Sequence, residues 1–276
     1  MKIASDTSSR EGVFDQAVLN LHYELDAGEQ LFSSLGFNVT HRGYHTLGSM
    51  NHLIVFGTDY LELIGLCPTN PNLRKGLLDW PVGLNGLVAG TVDTGRTYAR
   101  LKSNKLPALE PKSFSRPVTM DGVETEAKFQ TVHLDPGYFA VSRVYFREHL
   151  TSALIWTADN QRHPNTATAL TRLIIATDDV AGAVGRLAKT FGLEPAAENI
   201  VELNGSTRFE FRNKQELTQA YGGSIVLDTS APKIIGLSIG VASRDGFLAA
   251  LEPGVSEKLV SPDPGRFILL PTTVLA

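Results

Sequence analysis

GYHTLGSMNHLIVFGTDYLELIGL, residues 43–66, is the stretch from which the rest of the chain can be read. A histidine, a small hydroxyl and an amide (His45, Ser49, Asn51) precede an apolar run at 52–56. A Gly57-Thr58-Asp59 turn follows, then a second apolar run, 60–66, carrying one carboxylate, Glu62. Strand side chains alternate between faces, so Tyr60, Glu62 and Ile64 share one side. A carboxylate between Leu61 and Leu63 is not there for solubility. Either it pairs with a partner or it does chemistry.

Working outward, FDQAVLNL (14–21) reads as a strand. Asp26, with Glu29 three residues on, has the pattern of a helix cap, and Ala27, Leu31 and Leu35 form a stripe that stops at Gly36. Strands at 37–40, 52–56 and 60–66 complete a strand, helix, three-strand unit. The pattern returns with a strand at 170–176 and a helix from Asp179 to Gly192, with strands near 200–203, 207–212 and 223–227. The two helix ends, DAGEQLFSSLGF and DVAGAVGRLAKTFGL, read alike. Weaker copies lie between and after. Residues 86–91 lead into a helix near 94–101 and strands around 113–118, 126–133 and 138–147. Residues 234–241 lead into 243–251 and a closing strand at 266–270.

This is an internal repeat of about four units. A single unit would leave one sheet face uncovered, so the units are expected to pair, one with two and three with four. The expected class is α+β, with βαβββ units forming two cup-shaped mixed sheets. The polar stretch TADNQRHPNTAT (157–168) is the expected linker between a first domain, 13–156, and a second, degenerate one, 169–276.

The chain has 276 residues, 42% hydrophobic and 20% charged, with a net charge of −4, ordinary values for a globular protein. A pI near 6.0 argues against nucleic acid as a partner. The single cysteine, Cys67, excludes an intrachain disulfide and fits a reducing, cytoplasmic location. The opening MKIASDTSSREG has no apolar core of a signal peptide and reads as frayed. No run approaches the ~18 apolar residues of a membrane helix. Among catalytic signatures, GxSxG, GxxxxGK[ST], CxxC, HExxH and a GxGxxG between strand and helix are all absent.

Three segments resemble the vicinal-oxygen-chelate superfamily, which includes glyoxalase I, extradiol dioxygenases and bleomycin-resistance proteins, and within it the glyoxalase-like subgroup. Residues 15–37 are similar to an opening "DH…D…LGF". Residues 43–66 are similar to "HPxxGTxN…YLEL". HLTSALIW (149–156) with RHPNTA (162–167) is similar to "HxxPELxW…HPNGA". The resemblance implies paired βαβββ units around a cup. In that superfamily a divalent metal in the cup polarises substrate oxygens while a carboxylate moves a proton. This sequence departs from the pattern. Gln16 stands where a histidine ligand is expected, Asn85 and Gly86 are poor ligands, and the second unit's last strand offers Glu148 or His149. The expectation is therefore no tightly bound metal and no other cofactor.

The resemblance implies that Glu62 faces the cup, where a proton-transfer role competes with simple pairing. His45, Glu62 and His149 are the expected catalytic groups. Gln16, Ser49, Asn51, Trp156, His163 and Asn165 are the expected substrate contacts. Each has a structural alternative: a loop bond for His45, Ser49 and Asn51, a strand end for His149, packing for Trp156, and a turn for His163-Pro-Asn165. His22, His41, His52 and His133 show no partner pattern. Two functional classes follow. One is a lyase or isomerase acting by proton transfer on a small oxygenated or carbonyl substrate. The other is a non-catalytic protein that sequesters a small molecule. Units three and four are expected to be structural or to form a homodimer or domain interface.

Overall fold

The computed structural model describes residues 12–120, 122–139, 142–203, 207–221, 229–251, 260–263 and 266–269. The first unit is β1 (Phe14–Asn20), α1 (Leu25–Ser34), β2 (Gly43–Tyr44), β3 (Met50–Val55) and β4 (Tyr60–Gly65). The second is β5 (Gly83–Gly90), α2 (Thr94–Ser103), β6 (Lys112–Met120), β7 (Val123–His133) and β8 (Arg143–His149). Their strands make one eight-stranded sheet, ordered β2-β3-β4-β1-β5-β8-β7-β6. β1 lies parallel to β4 and β5 parallel to β8, and the antiparallel β1–β5 pair joins the two units. The sheet edges meet, because Thr46 N, just past β2, donates to Ser115 O of β6 at 3.1 Å. The sheet thus curls into a nearly closed cup, which also covers its edges.

The remaining elements are β9 (Ala167–Ala176), α3 (Val180–Phe191), β10 (Ile200–Glu202), β11 (Arg208–Arg212), α4 (Lys214–Tyr221), β12 (Lys233–Val241), α5 (Arg244–Ala249), β13 (Val260–Asp263) and β14 (Arg266–Leu269). They form a six-stranded sheet, β10-β11-β9-β12-β14-β13. Its centre repeats the first sheet, with β9 parallel to β11 and antiparallel to β12. The repeat breaks at β14, which runs antiparallel to β12 where β8 runs parallel to β5.

Several local expectations are corrected. Residues 37–40 are not a strand: the amides of Phe37 and Thr40 donate to Phe32 O and Leu53 O instead. Asp26 is not a cap but lies in the first turn of α1, ion-paired to Arg42 at 2.6 Å. α2, α3 and α5 do carry side-chain caps, from Asp93, Asp179 and Ser243. Tyr138 belongs to a short 3-10 turn, and β8 starts at Arg143. α4 was not expected, although Asn213 and Glu216 form a reciprocal capping box at its start, 2.9 and 3.0 Å. The strand expected at 223–227 lies outside the described residues, as do residues 1–11.

One apolar core runs between the helices and both sheets. Phe14 packs edge-on against Phe209 at 5.6 Å, and Phe146 against Phe191 at 5.8 Å. The Asp59 carboxylate accepts from Leu170 N at 2.9 Å, tying the β3–β4 turn to β9. Inside the first cup the lining is different. Leu53, Val55, Tyr60, Phe129 and Ile155 fill one end, and Val18, Ile64, Leu77, Val88 and Tyr145 line the other. Between them, along β4 and β8, runs a polar belt.

Candidate functional site

Glu62 is the centre of that belt. Gln16 of β1 donates from Nε2 to Glu62 Oε2 at 2.6 Å, and Asn51 of β3 donates from Nδ2 to Oε1 at 2.8 Å. Arg147 of β8 brings Nη2 to 3.8 Å from Oε2. Its other contacts include Tyr60 OH at 2.5 Å, Tyr145 OH at 3.4 Å and the rings of Phe129, Phe114 and Tyr145, so its position is fixed. Burial alone would push the Glu62 carboxyl up. The Arg147 guanidinium, with the Asn51 amide and Arg143, more than reverses this and holds it below the usual carboxylate range. Glu62 is therefore a buried, ionised carboxylate.

His45 faces the same group, Nε2 lying 3.9 Å from Glu62 Oε1, while Nδ1 meets Ser49 Oγ at 2.9 Å. Burial pushes its pKa down to about 3, so the imidazole is neutral. The turn that aims it needs Gly48 (φ 86°), where a Cβ would lie 1.6 Å from Asn72 O. Ser49 thus acts through His45, and Gln16, His45, Asn51 and Glu62 are brought together.

The other expected residues stand elsewhere. His149 is one pleat beyond Arg147, with Nε2 3.0 Å from both oxygens of buried Asp15. Its ring packs on Trp156 and Phe129 at 4.8 and 5.3 Å. Trp156 also meets Tyr60 at 5.5 Å and closes that end of the cup rather than lining the pocket. His163 Nδ1 accepts from Asn38 N at 3.0 Å, so Nε2 carries the proton and donates to Val55 O at 2.9 Å. Asn165 donates to Leu35 O and accepts from Ala167 N. They fasten the 157–168 segment to β3 and to the end of α1, as a His-Pro-Asn turn does without any ligand. Glu148 faces outward and takes Thr94 N and Oγ1 at the start of α2.

The pocket's cations are not among the expected site residues. Arg143, Tyr145 and Arg147 alternate along β8 and so share one face. That signal was present in RVYFREH. Arg74 comes from a loop with no pattern, and Lys112 from β6. His133, thought to be partnerless, stacks on Tyr145 at 4.2 Å and lines the pocket. Among the described residues, no carboxylate lies within ion-pair distance of Arg74, Lys112, Arg116 or Arg143. The pocket at Glu62, bounded by His45, Phe114, Tyr145 and Arg147, has a volume of about 40 Å³.

The superfamily's divalent metal does not fit this donor set. Both oxygens of Glu62 are taken by amide N–H groups, and a guanidinium stands beside it. No cluster of three His, Cys, Asp or Glu capable of holding a metal occurs among the described residues.

Residues 14–191 match the profile of the glyoxalase-like domain family, and the chain belongs to that family and so to the vicinal-oxygen-chelate superfamily. A hypothetical protein from Staphylococcus aureus shares the fold, with a TM-score of 0.55 and 15% identity over 73% of this chain and 86% of that one. Methylmalonyl-CoA epimerases superpose less well. That of Streptomyces coelicolor gives a TM-score of 0.38 and 19% identity over 50% of this chain and 94% of that one. That of Mycobacterium tuberculosis gives 0.37 and 16% over 54% and 92%. A search of curated protein sequences finds no match. Among the described residues no helix is long and apolar enough to cross a membrane.

Proposed function

We propose that the first cup is the active site of an enzyme that moves a proton on a small oxygenated or carbonyl compound, as a lyase or isomerase does, with no resident metal. The observation that carries this reading is the ionised Glu62, desolvated and oriented by two amides, with the Arg147 cation beside it. Glu62 would take a proton from the carbon next to the carbonyl, and the C–H electron pair would move onto the carbonyl oxygen. Arg147 and the Tyr145 hydroxyl, whose proton burial holds on, would stabilise that oxyanion. A return of the proton gives an isomer, and loss of a leaving group gives elimination.

One observation favours the sequestering reading instead: both Glu62 oxygens already accept hydrogen bonds, and its depressed pKa makes it a weak base. Exchange of substrate C–H for deuterium in D₂O, followed by NMR over a panel of small keto acids and ketones, separates the two. Under the enzyme reading Glu62→Gln abolishes exchange and leaves ligand affinity within a few-fold. Under the binding reading no compound that binds undergoes exchange.

A further inference from the structure

A second, larger chamber of about 200 Å³ adjoins the pocket at Glu62. Four residues line both chambers and form the neck between them: Arg74, Lys112, His133 and Arg143. Beyond the neck the walls are Leu77, Trp80, Leu109, Leu134 and Pro136, with Glu110 held by the Tyr98 hydroxyl at 2.6 Å.

The neck has three cations and no anion. Arg143 is set in place by Asn85, whose Oδ1 accepts from it at 2.8 Å and whose Nδ2 is tied to Pro81 O at 2.7 Å. Burial lowers the pKa of Arg74 and of Arg143, which means their charge is poorly hydrated. Half-buried guanidinium groups without a carboxylate partner among the described residues are matched by a planar oxyanion, which accepts two parallel N–H bonds. The outer chamber is built before any ligand arrives. Asn20 Nδ2 donates to Leu77 O at 2.9 Å and His22 Nε2 to Trp80 O at 2.8 Å, fastening that wall to the end of β1.

Size divides the ligand. At roughly 10–15 Å³ per water-sized probe, the inner chamber takes a group of only a few heavy atoms. The outer one exceeds the ~150 Å³ that accommodates a benzene ring. Resting on the reading of the Glu62 pocket as the reaction site, we infer that the substrate is an organic acid. Its carboxylate meets Arg74, Lys112 and Arg143, its reacting carbon faces Glu62, and an apolar body of about phenyl size, carried on that carbon, reaches into the outer chamber against Trp80.

The test is calorimetric binding of phenylpyruvate, pyruvate and phenylacetone, which keep acid and ring, acid alone and ring alone. Phenylpyruvate is expected to bind about tenfold or more tightly than either of the others. Arg143→Gln should remove its advantage over phenylacetone. Trp80→Ala should remove its advantage over pyruvate while leaving pyruvate affinity unchanged, which also shows that the variant is folded. Equal affinity of phenylacetone and phenylpyruvate, equal affinity of pyruvate and phenylpyruvate, or no acid binding at millimolar concentration overturns the inference. The two proposals fail separately. Acid-selective binding without deuterium exchange refutes proton transfer alone, and exchange on neutral ketones without acid preference refutes this inference alone.

Discussion

Glu62 and Glu210 occupy the same place in their units. Glu62 is two residues past the β4 residue paired with Gln16, and Glu210 is two past the β11 residue paired with Arg172. Gln16 donates to Glu62 at 2.6 Å, and Arg172 donates to Glu210 at 2.8 Å. The difference is charge. An amide orients a carboxylate and leaves its charge available, whereas Arg172 and Arg212 together neutralise Glu210. Glu210→Gln is accordingly expected to act on folding stability, read by chemical denaturation, with no effect on ligand binding. The pH dependence follows from the residues around Glu62. His45 and His133 both have pKa values pushed down to about 3, chiefly by burial, and both are neutral in the folded protein. An activity or binding profile should therefore show no inflection near pH 6.5, only an acid limb as Glu62 is protonated. Stability behaves differently. The unfolded imidazole takes a proton near pH 6.5 and the folded one does not, so stability is fully present above that value and lost as pH falls towards 3. The slope reaches about 1.4 kcal/mol per pH unit for His45. Glu62, also depressed, adds its own loss below the ordinary carboxylate range. Denaturant midpoints measured between pH 7 and 4 check the sign.

At the scale of elements, β8 and the 157–168 segment show what a sequence makes legible. The βαβββ order, the glycine stops and the Gln16–Glu62 placement were readable because they follow periodicity and a motif. β8 begins at Arg143, five residues after the expected start; the alternation of Arg143, Tyr145 and Arg147 is legible locally, but that their face lines the cup follows only from the pairing. Register depends on pairing with β5 and β7, which are long-range contacts no local pattern encodes. His163 and Asn165 looked like site residues because they belong to a motif, yet their hydrogen bonds all go to backbone. His163→Ala is expected to cost about 1–3 kcal/mol by orphaning buried partners, with ligand affinity preserved. Thermal melting alongside calorimetry would show this split. Close packing of β1 on β5 is similarly specific. A Cβ at Gly86 would lie 2.6 Å from Val18 Cβ, so Gly86→Ala should destabilise by about 1–3 kcal/mol.

For the whole molecule, the second sheet completes a core that the first cannot close. Phe209 and Phe191 cover Phe14 and Phe146, and Asp59 caps the amide of Leu170. Asp59→Ala should leave that amide unpaired and lower stability by about 1–3 kcal/mol, as a shift in denaturant midpoint with one cooperative transition. Metal content belongs at this scale too. Dialysis against a chelator should leave phenylpyruvate affinity and deuterium exchange unchanged, since Arg147 already provides the positive charge beside Glu62. The filled end of the cup has a kinetic consequence. Ile155 and Trp156 stop it like a cork, so under the proposed function, with the neck as the way in, product would back out by the path that substrate entered. If the three cations there attract an acid, as inferred above, they would also retain it. Release, not the proton step, would then set the turnover rate for an acidic product. Rising ionic strength, which screens the neck, should slow capture and quicken turnover at saturation together.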